Sequence, residues 1–324
     1  MKVDAPSQWA YTSANRRPRR LAIHTQAGGV WHRWLFAALL AAALAACGST
    51  AIRPAPATDT PLATSPTADA VTLPASPPTI RSSTPTPSCM QLGGRIEVGQ
   101  ADDRTGKLLT YRVYTPPCFD AGITPIPILI LFHGLTSTDS QWGALGVGTT
   151  ADELIRTGQV PPFLILMPRE DTGLDLESAV MDTLLPLVES TYHAGGDRNR
   201  RAIGGLSRGA GWALRIGLKH ADLFGAIGMD SPAVLSPDLY FLPAWVKLIP
   251  SGQMPRLSID IGRDDTLLPA THDLTALLDD LNVRYDWHLN AGEHTPSYWA
   301  NHMAEYLRWY AAGWPSPSSQ NTEP

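Results

Sequence analysis

Ser207 sits at the centre of Gly205-Leu206-Ser207-Arg208-Gly209, between the run "RAIGGL" (201–206) and a helix-forming stretch. Glycines two residues to either side suit a tight strand-to-helix turn, which forces the serine into sparsely allowed backbone angles. A side chain at either glycine would strike neighbouring backbone. Such a turn lifts Oγ above a sheet and places the Arg208 amide at a helix N-terminus, where it can donate to a developing oxyanion. A hydroxyl needs a base to take its proton, and a histidine held by a carboxylate meets that need. After this kind of turn the partners follow in the order acid, then histidine. Asp264 and Asp265 come after "RLSIDIG", and His294 lies in "LNAGEHTPSYW" after the next apolar run. Either aspartate can serve; the other caps the helix beginning near Leu267 or stays solvated. Upstream, "ILILFHGLTSTDSQW" reaches His133-Gly134. The Leu135 amide is the expected second oxyanion donor, and His133 reads as a residue that shapes that loop.

These residues need a scaffold that delivers loops to one edge. Strand-like runs at 108–114, 126–134, 162–168, 201–206, 225–230, 256–262 and 283–289 alternate with helical patterns at 150–158, 176–193, after Ser207, at 271–282 and at 297–312. Short joins between strands and helices imply an α/β fold, a mostly parallel sheet flanked by helices on both faces. Sites in such sheets lie at the carboxyl ends of strands, where Ser207, the aspartate pair and His294 all fall. Trp142, near the oxyanion loop, and Trp299, just after the histidine, are candidates to line an acyl or sugar site, with ordinary packing as the alternative.

The rest of the chain separates into segments of different composition. Arg16 to Arg20, "RRPRR", precedes an apolar run ending in "LAAC" at Cys47, the pattern of a secretory signal with a lipobox-like end, so residues 1–47 read as a signal peptide and Cys47 as a lipidation site. Export to the cell surface and attachment to the membrane through that lipid or an uncleaved signal follow. Residues 48–88 are rich in Thr, Pro, Ala and Ser, hold nine prolines and no aromatic residue, and read as a disordered spacer. Residues 89–314 form the expected catalytic domain, and 315–324 a disordered tail. A formal net charge of −5 gives no general attraction to polyphosphate, so no nucleic-acid partner is expected. Cys89 and Cys118, in an exported domain, pair naturally as a disulfide. No flank adds the histidines or further cysteines of a metal site, and neither metal nor cofactor is expected.

The motifs "YRVYTPPCFD", "ILILFHGLTSTDSQW", "DRNRRAIGGLSRGAGWAL" and "AGEHTPSYW" resemble the esterase D-like branch of the α/β-hydrolase superfamily, over about residues 89 to 313. That group includes S-formylglutathione hydrolases, feruloyl esterases, enterochelin-esterase-like enzymes and mycolyltransferase antigens. The resemblance implies an α/β-hydrolase fold and a serine carboxylic esterase acting on a small-molecule or carbohydrate-linked ester. Ser207 matches the family's nucleophile and His294 its base. Asp265 matches the acid, through the spacing Gly262-Arg263-Asp264-Asp265-Thr266, and Leu135 and Arg208 match the oxyanion amides. Cys118 departs from the glycine that is common in the family's "PPGY". Acyl transfer to a sugar or lipid alcohol is the alternative reaction for the same residues. A non-catalytic binding protein on the same fold is a third reading, and the complete serine, aspartate and histidine set argues against it.

Overall fold

The computed structural model of the chain describes residues 88–119 and 125–314. The expected signal peptide with Cys47, the spacer apart from Ser88, and the tail from residue 315 lie outside the described residues. No helix among the described residues is long and apolar enough to cross a membrane.

Eight strands form one sheet: β1 (Arg95–Asp102), β2 (Leu108–Thr115), β3 (Ile128–Phe132), β4 (Leu164–Pro168), β5 (Arg201–Leu206), β6 (Ala226–Asp230), β7 (Arg256–Gly262) and β8 (Asp286–Asn290). Their spatial order is β1-β2-β4-β3-β5-β6-β7-β8. The β1–β2 and β2–β4 pairs are antiparallel, and every pair from β4 to β8 is parallel. Every residue of β3, β4 and β6 is buried, as expected of parallel strands covered on both faces. β1 alternates exposed and half-buried positions at the edge, which is why its sequence carries no apolar run.

Short helices α1 (Cys89–Leu92) and α2 (Gln141–Ala144) accompany the longer α3 (Val147–Arg156). The expected helix at 176–193 runs from α4 (Leu176–Ser178) through a π-helical stretch (Ala179–Leu184) into α5 (Leu185–Tyr192). Pro186 near the start of α5 supplies no amide hydrogen and would crowd the preceding turn of a regular helix; the wider turn accommodates it. Then follow α6 (Arg208–Lys219), α7 (Asp238–Leu248), α8 (Leu268–Asp280) and α9 (Pro296–Ala311). Two apolar layers result. Leu176, Val188, Leu214, Ile216, Leu274 and Leu278 pack on one face of the sheet. Trp142, Leu154, Met303, Leu307 and Tyr310, from α2, α3 and α9, pack on the other.

Cys89 and Cys118 are joined, with Cα atoms 5.0 Å apart, and the bond ties α1 to the segment after β2.

Candidate active site

β5 ends at Leu206 and α6 begins at Arg208, leaving Ser207 alone to make the turn, with φ 55° and ψ −121°. That conformation is costly for a residue with a Cβ, so the surroundings must hold it. The Ser207 amide donates to the Asp230 carbonyl at the end of β6 (2.8 Å), and its carbonyl accepts from the Ala233 amide (3.0 Å). A Cβ on Gly205 would run into the Gly209 backbone, and one on Gly209 into the Phe132 carbonyl, so both glycines are needed for the close approach of α6 to β5 and β3.

The other two residues arrive on the loops after β7 and β8. Those loops are tied to each other by the Arg263 amide donating to the Asn290 carbonyl (2.8 Å) and the Asp264 amide to that of Gly292 (2.9 Å). His294 Nδ1–H donates to Asp265 Oδ2 (2.8 Å), which leaves Nε2 to accept from Ser207 Oγ–H (3.0 Å). The second Asp265 oxygen accepts from the Leu267 amide (2.8 Å), so the carboxylate is held at both ends. Asp265 is buried and the His294 side chain partly open, at 28% exposure. The neighbouring Asp264 is exposed, and α8 begins without a side-chain cap. Serine, histidine and Asp265 are therefore in one hydrogen-bonded line, and Asp264 is outside it.

Leu135, 69% exposed, lies on the loop between β3 and α2. A Cβ on the preceding Gly134 would sit 3.7 Å from the Ser207 Cβ, which places this loop beside Ser207. Gly134 itself is held by its amide donating to Gln141 Oε1 (2.8 Å). Arg208 is the first residue of α6, where the amide has no intrahelical partner. The Leu135 loop and the start of α6 thus approach Ser207 from different elements.

The two tryptophans do not line an open site. Trp142 is 1% exposed, its indole donating to the Phe132 carbonyl (3.1 Å), so it supports the end of β3 and the Leu135 loop from within. Trp299 is 4% exposed and its indole donates to Ser231 Oγ (3.0 Å). Its ring meets His294 edge-on at 4.9 Å between centroids, packing against the imidazole. An aromatic residue close to a catalytic motif in sequence reads the same whether it faces substrate or core. Glu170, whose carboxylate takes a double hydrogen bond from Arg208, escaped the sequence reading altogether. The one sequence signal was an arginine in the first turn of a helix, the wrong end for a cation.

Among the described residues no group of His, Cys, Asp and Glu has the arrangement of a metal site.

Comparison with known proteins places these features in a family. Residues 103–314 match the family described as "Putative esterase". A bifunctional endo-1,4-beta-xylanase/feruloyl esterase of Xylanibacter ruminicola is 27% identical over 164 residues, which are 45% of this chain and 23% of that protein. The aligned part is thus about a quarter of the relative's length. A solved ferulic acid esterase superposes with a TM-score of 0.62 at 22% identity, covering 68% of this chain and 100% of its own. An S-formylglutathione hydrolase of Staphylococcus aureus gives 0.57 at 20% identity, covering 68% and 98%. The fold is that of the α/β-hydrolase esterases, and the chain belongs to the family described as putative esterases.

Proposed function

We propose that this esterase hydrolyses its substrates through an acyl-enzyme on Ser207. The observation that carries the reading is the unbroken line from Asp265 through His294 to Ser207 Oγ. His294 Nε2 takes the Oγ proton as Oγ attacks the ester carbonyl, and Asp265 fixes the tautomer and stabilises the imidazolium. The oxyanion accepts hydrogen bonds from the Leu135 and Arg208 amides. Collapse of the tetrahedral intermediate passes the proton from His294 to the departing alkoxide and leaves an ester at Ser207. Water, deprotonated by His294, then releases the acid. Partial exposure of the His294 side chain and the exposure of Leu135 leave a path for solvent to the acyl group, which favours water over a sugar or lipid alcohol as the acyl acceptor.

Export and lipid attachment at Cys47 belong to the same proposal and rest on the N-terminal sequence. The relatives named for feruloyl esters and for S-formylglutathione set the first two substrate classes to try: hydroxycinnamoyl esters of sugars and small thioesters.

The test is a panel of those esters and short-chain aryl esters with the purified protein, with mass spectrometry of trapped enzyme. Turnover of at least one ester and an acyl mass on the peptide holding Ser207 are expected. Ser207→Ala should lose about 10⁵-fold or more in kcat, the scale seen when a triad serine is removed. Retention of activity by that variant would refute the mechanism.

A further inference from the structure

The two oxyanion amides belong to different parts of the chain, and something must hold them in register. Leu135 is on a loop between β3 and α2, whereas Arg208 opens α6. A transition state needs both donors within about 0.5 Å of the productive position, a demand that falls on the residues around them. Glu170, two residues past the end of β4, touches both sides.

Its backbone amide donates to His133 Nε2 (2.9 Å). The same imidazole donates from Nδ1 to the carbonyl of Gly134, immediately before Leu135 (2.8 Å). The Glu170 carboxylate accepts from Arg208 through Nε (3.0 and 2.9 Å to the two oxygens) and Nη2 (2.6 Å). His133 is 4% exposed and the Glu170 side chain 18%, while the Arg208 side chain is 34% exposed, so the backbone contact is shielded from solvent and the charged fork is partly screened. α6 has no acidic residue in its first turn, and a cation there opposes the helix dipole. The fork from Glu170 offsets that cost and fixes the residue whose amide faces the substrate. Trp212, one turn further along, has its ring 5.9 Å from the Arg208 guanidinium carbon and supports the arginine from the other side.

We propose that Glu170 is the positioning residue of the oxyanion site: through its amide and its carboxylate it ties the Leu135 loop to the start of α6 and sets the spacing of the two donors. The proposal rests on the acyl-enzyme reading of Ser207 and deepens it. Glu170 touches no reacting atom. Its effect therefore belongs in kcat and in affinity for tetrahedral mimics, while binding of the ground-state ester stays unchanged.

The experiment compares the parent, Glu170→Gln, Arg208→Gln and the double variant, each normalised by fluorophosphonate titration so that rates refer to folded sites. Glu170→Gln keeps the backbone contact to His133 and loses the charged fork. Its kcat should fall about 10- to 100-fold, short of the loss of a whole oxyanion donor. KM should stay within about threefold, and the Ki of a substrate-like boronic acid should rise in parallel with the loss in kcat. The double variant should be no worse than the poorer single one, because the pair acts as a unit. Per-site kcat within twofold of the parent, kcat and boronate affinity that do not move together, or additive losses would each overturn the proposal. Failure of the parent to react with fluorophosphonate at Ser207 would instead overturn the acyl-enzyme reading beneath it.

Discussion

Buried carboxylates on β6, on β7 and in the loop after β7 fall into two groups, and one of them is hydrogen-bonded through His294 to Ser207. Asp265 has two directed donors, the Leu267 amide and His294 Nδ1–H, and the second leads to Ser207 and solvent. Asp230 and Asp260 are opposite each other in neighbouring strands, on the α9 face. Asp260 accepts from the hydroxyls of Tyr298 (2.7 Å) and Tyr306 (2.8 Å) and from Asn290 Nδ2 (2.8 Å). Asp230 Oδ2 and the Tyr310 hydroxyl have no hydrogen-bond partner among the described residues. Burial, with the charge of Asp260 added, holds the Asp230 carboxyl well above the usual carboxylate range. The same desolvation raises the phenols of Tyr298, Tyr306 and Tyr310, where the Asp260 and Asp230 charges add to it.

A cavity of about 340 Å³ opens on this second group, lined by residues that include Asp230, Asp260, His288 and Tyr310 and none of Ser207, His294 or Asp265. Perturbed acidity beside a cavity is therefore not enough to mark the proposed site, since the two coincide here away from Ser207, His294 and Asp265. What distinguishes Asp265 is a partner in line with the Ser207 hydroxyl. Removing that line gives the largest effect expected in this comparison. Asp265→Asn should lower kcat by about three to four orders of magnitude, as loss of the orienting acid does in a serine triad, with the fold intact by circular dichroism. A kcat within tenfold of the parent would mean that His294 is oriented by something else.

The disulfide separates stability from chemistry. Cys89 and Cys118 close a loop with a sequence separation of 29, far along the sheet order from the triad. Chain entropy gives such a loop about 3.5 kcal/mol of stabilisation. Replacing both cysteines with serine should lower the urea midpoint accordingly and leave kcat at 25 °C unchanged. A parallel loss of kcat in the fully folded variant would show that β1 and β2 reach the site.

Much of this arrangement is legible in the sequence, for identifiable reasons. The central strands are continuous apolar runs because both faces are covered, and β5 and β7 begin and end where the pattern does. Ser207 and His294 stand out because glycine-flanked turns follow those runs. β1 and α7 escaped because their residues face outward: β1 is an exposed edge, and α7 has Pro243 inside it and exposes Tyr240 and Leu248. The choice between Asp264 and Asp265 came from family spacing, and its physical basis, one side chain in and one out, is visible only in the folded turn. Glu170 was hidden because its partners are 37 and 38 residues away and belong to no local pattern.

Asp264→Asn sharpens the contrast inside the acid loop. Asp264 is exposed, and the bond from its backbone amide to the Gly292 carbonyl survives the substitution. kcat should remain within about threefold of the parent, as expected for a surface substitution away from any specific contact. A loss comparable to that of Asp265→Asn would assign the acid to the wrong aspartate while sparing the esterase reading.

The smallest effect on catalysis is expected at the carboxyl whose acidity burial weakens. Asp230 meets Ser207 through its backbone carbonyl, so Asp230→Asn keeps that bond and should leave kcat unchanged. Its signature is in stability against pH. The native state holds a proton on Asp230 that the unfolded chain gives up above about pH 3.9, so the folded form binds more protons and stability falls as pH rises from there toward the raised native value. An asparagine has no proton to lose and can donate its amide to the Asp260 carboxylate beside it. Urea titrations from pH 4 upward should therefore find the variant gaining on the parent with each step in pH, with the difference smallest at the acid end. Parallel curves would mean that Asp230 is no more costly to ionise than a surface acid, and the distinction drawn between the two carboxylate groups would lose its physical basis.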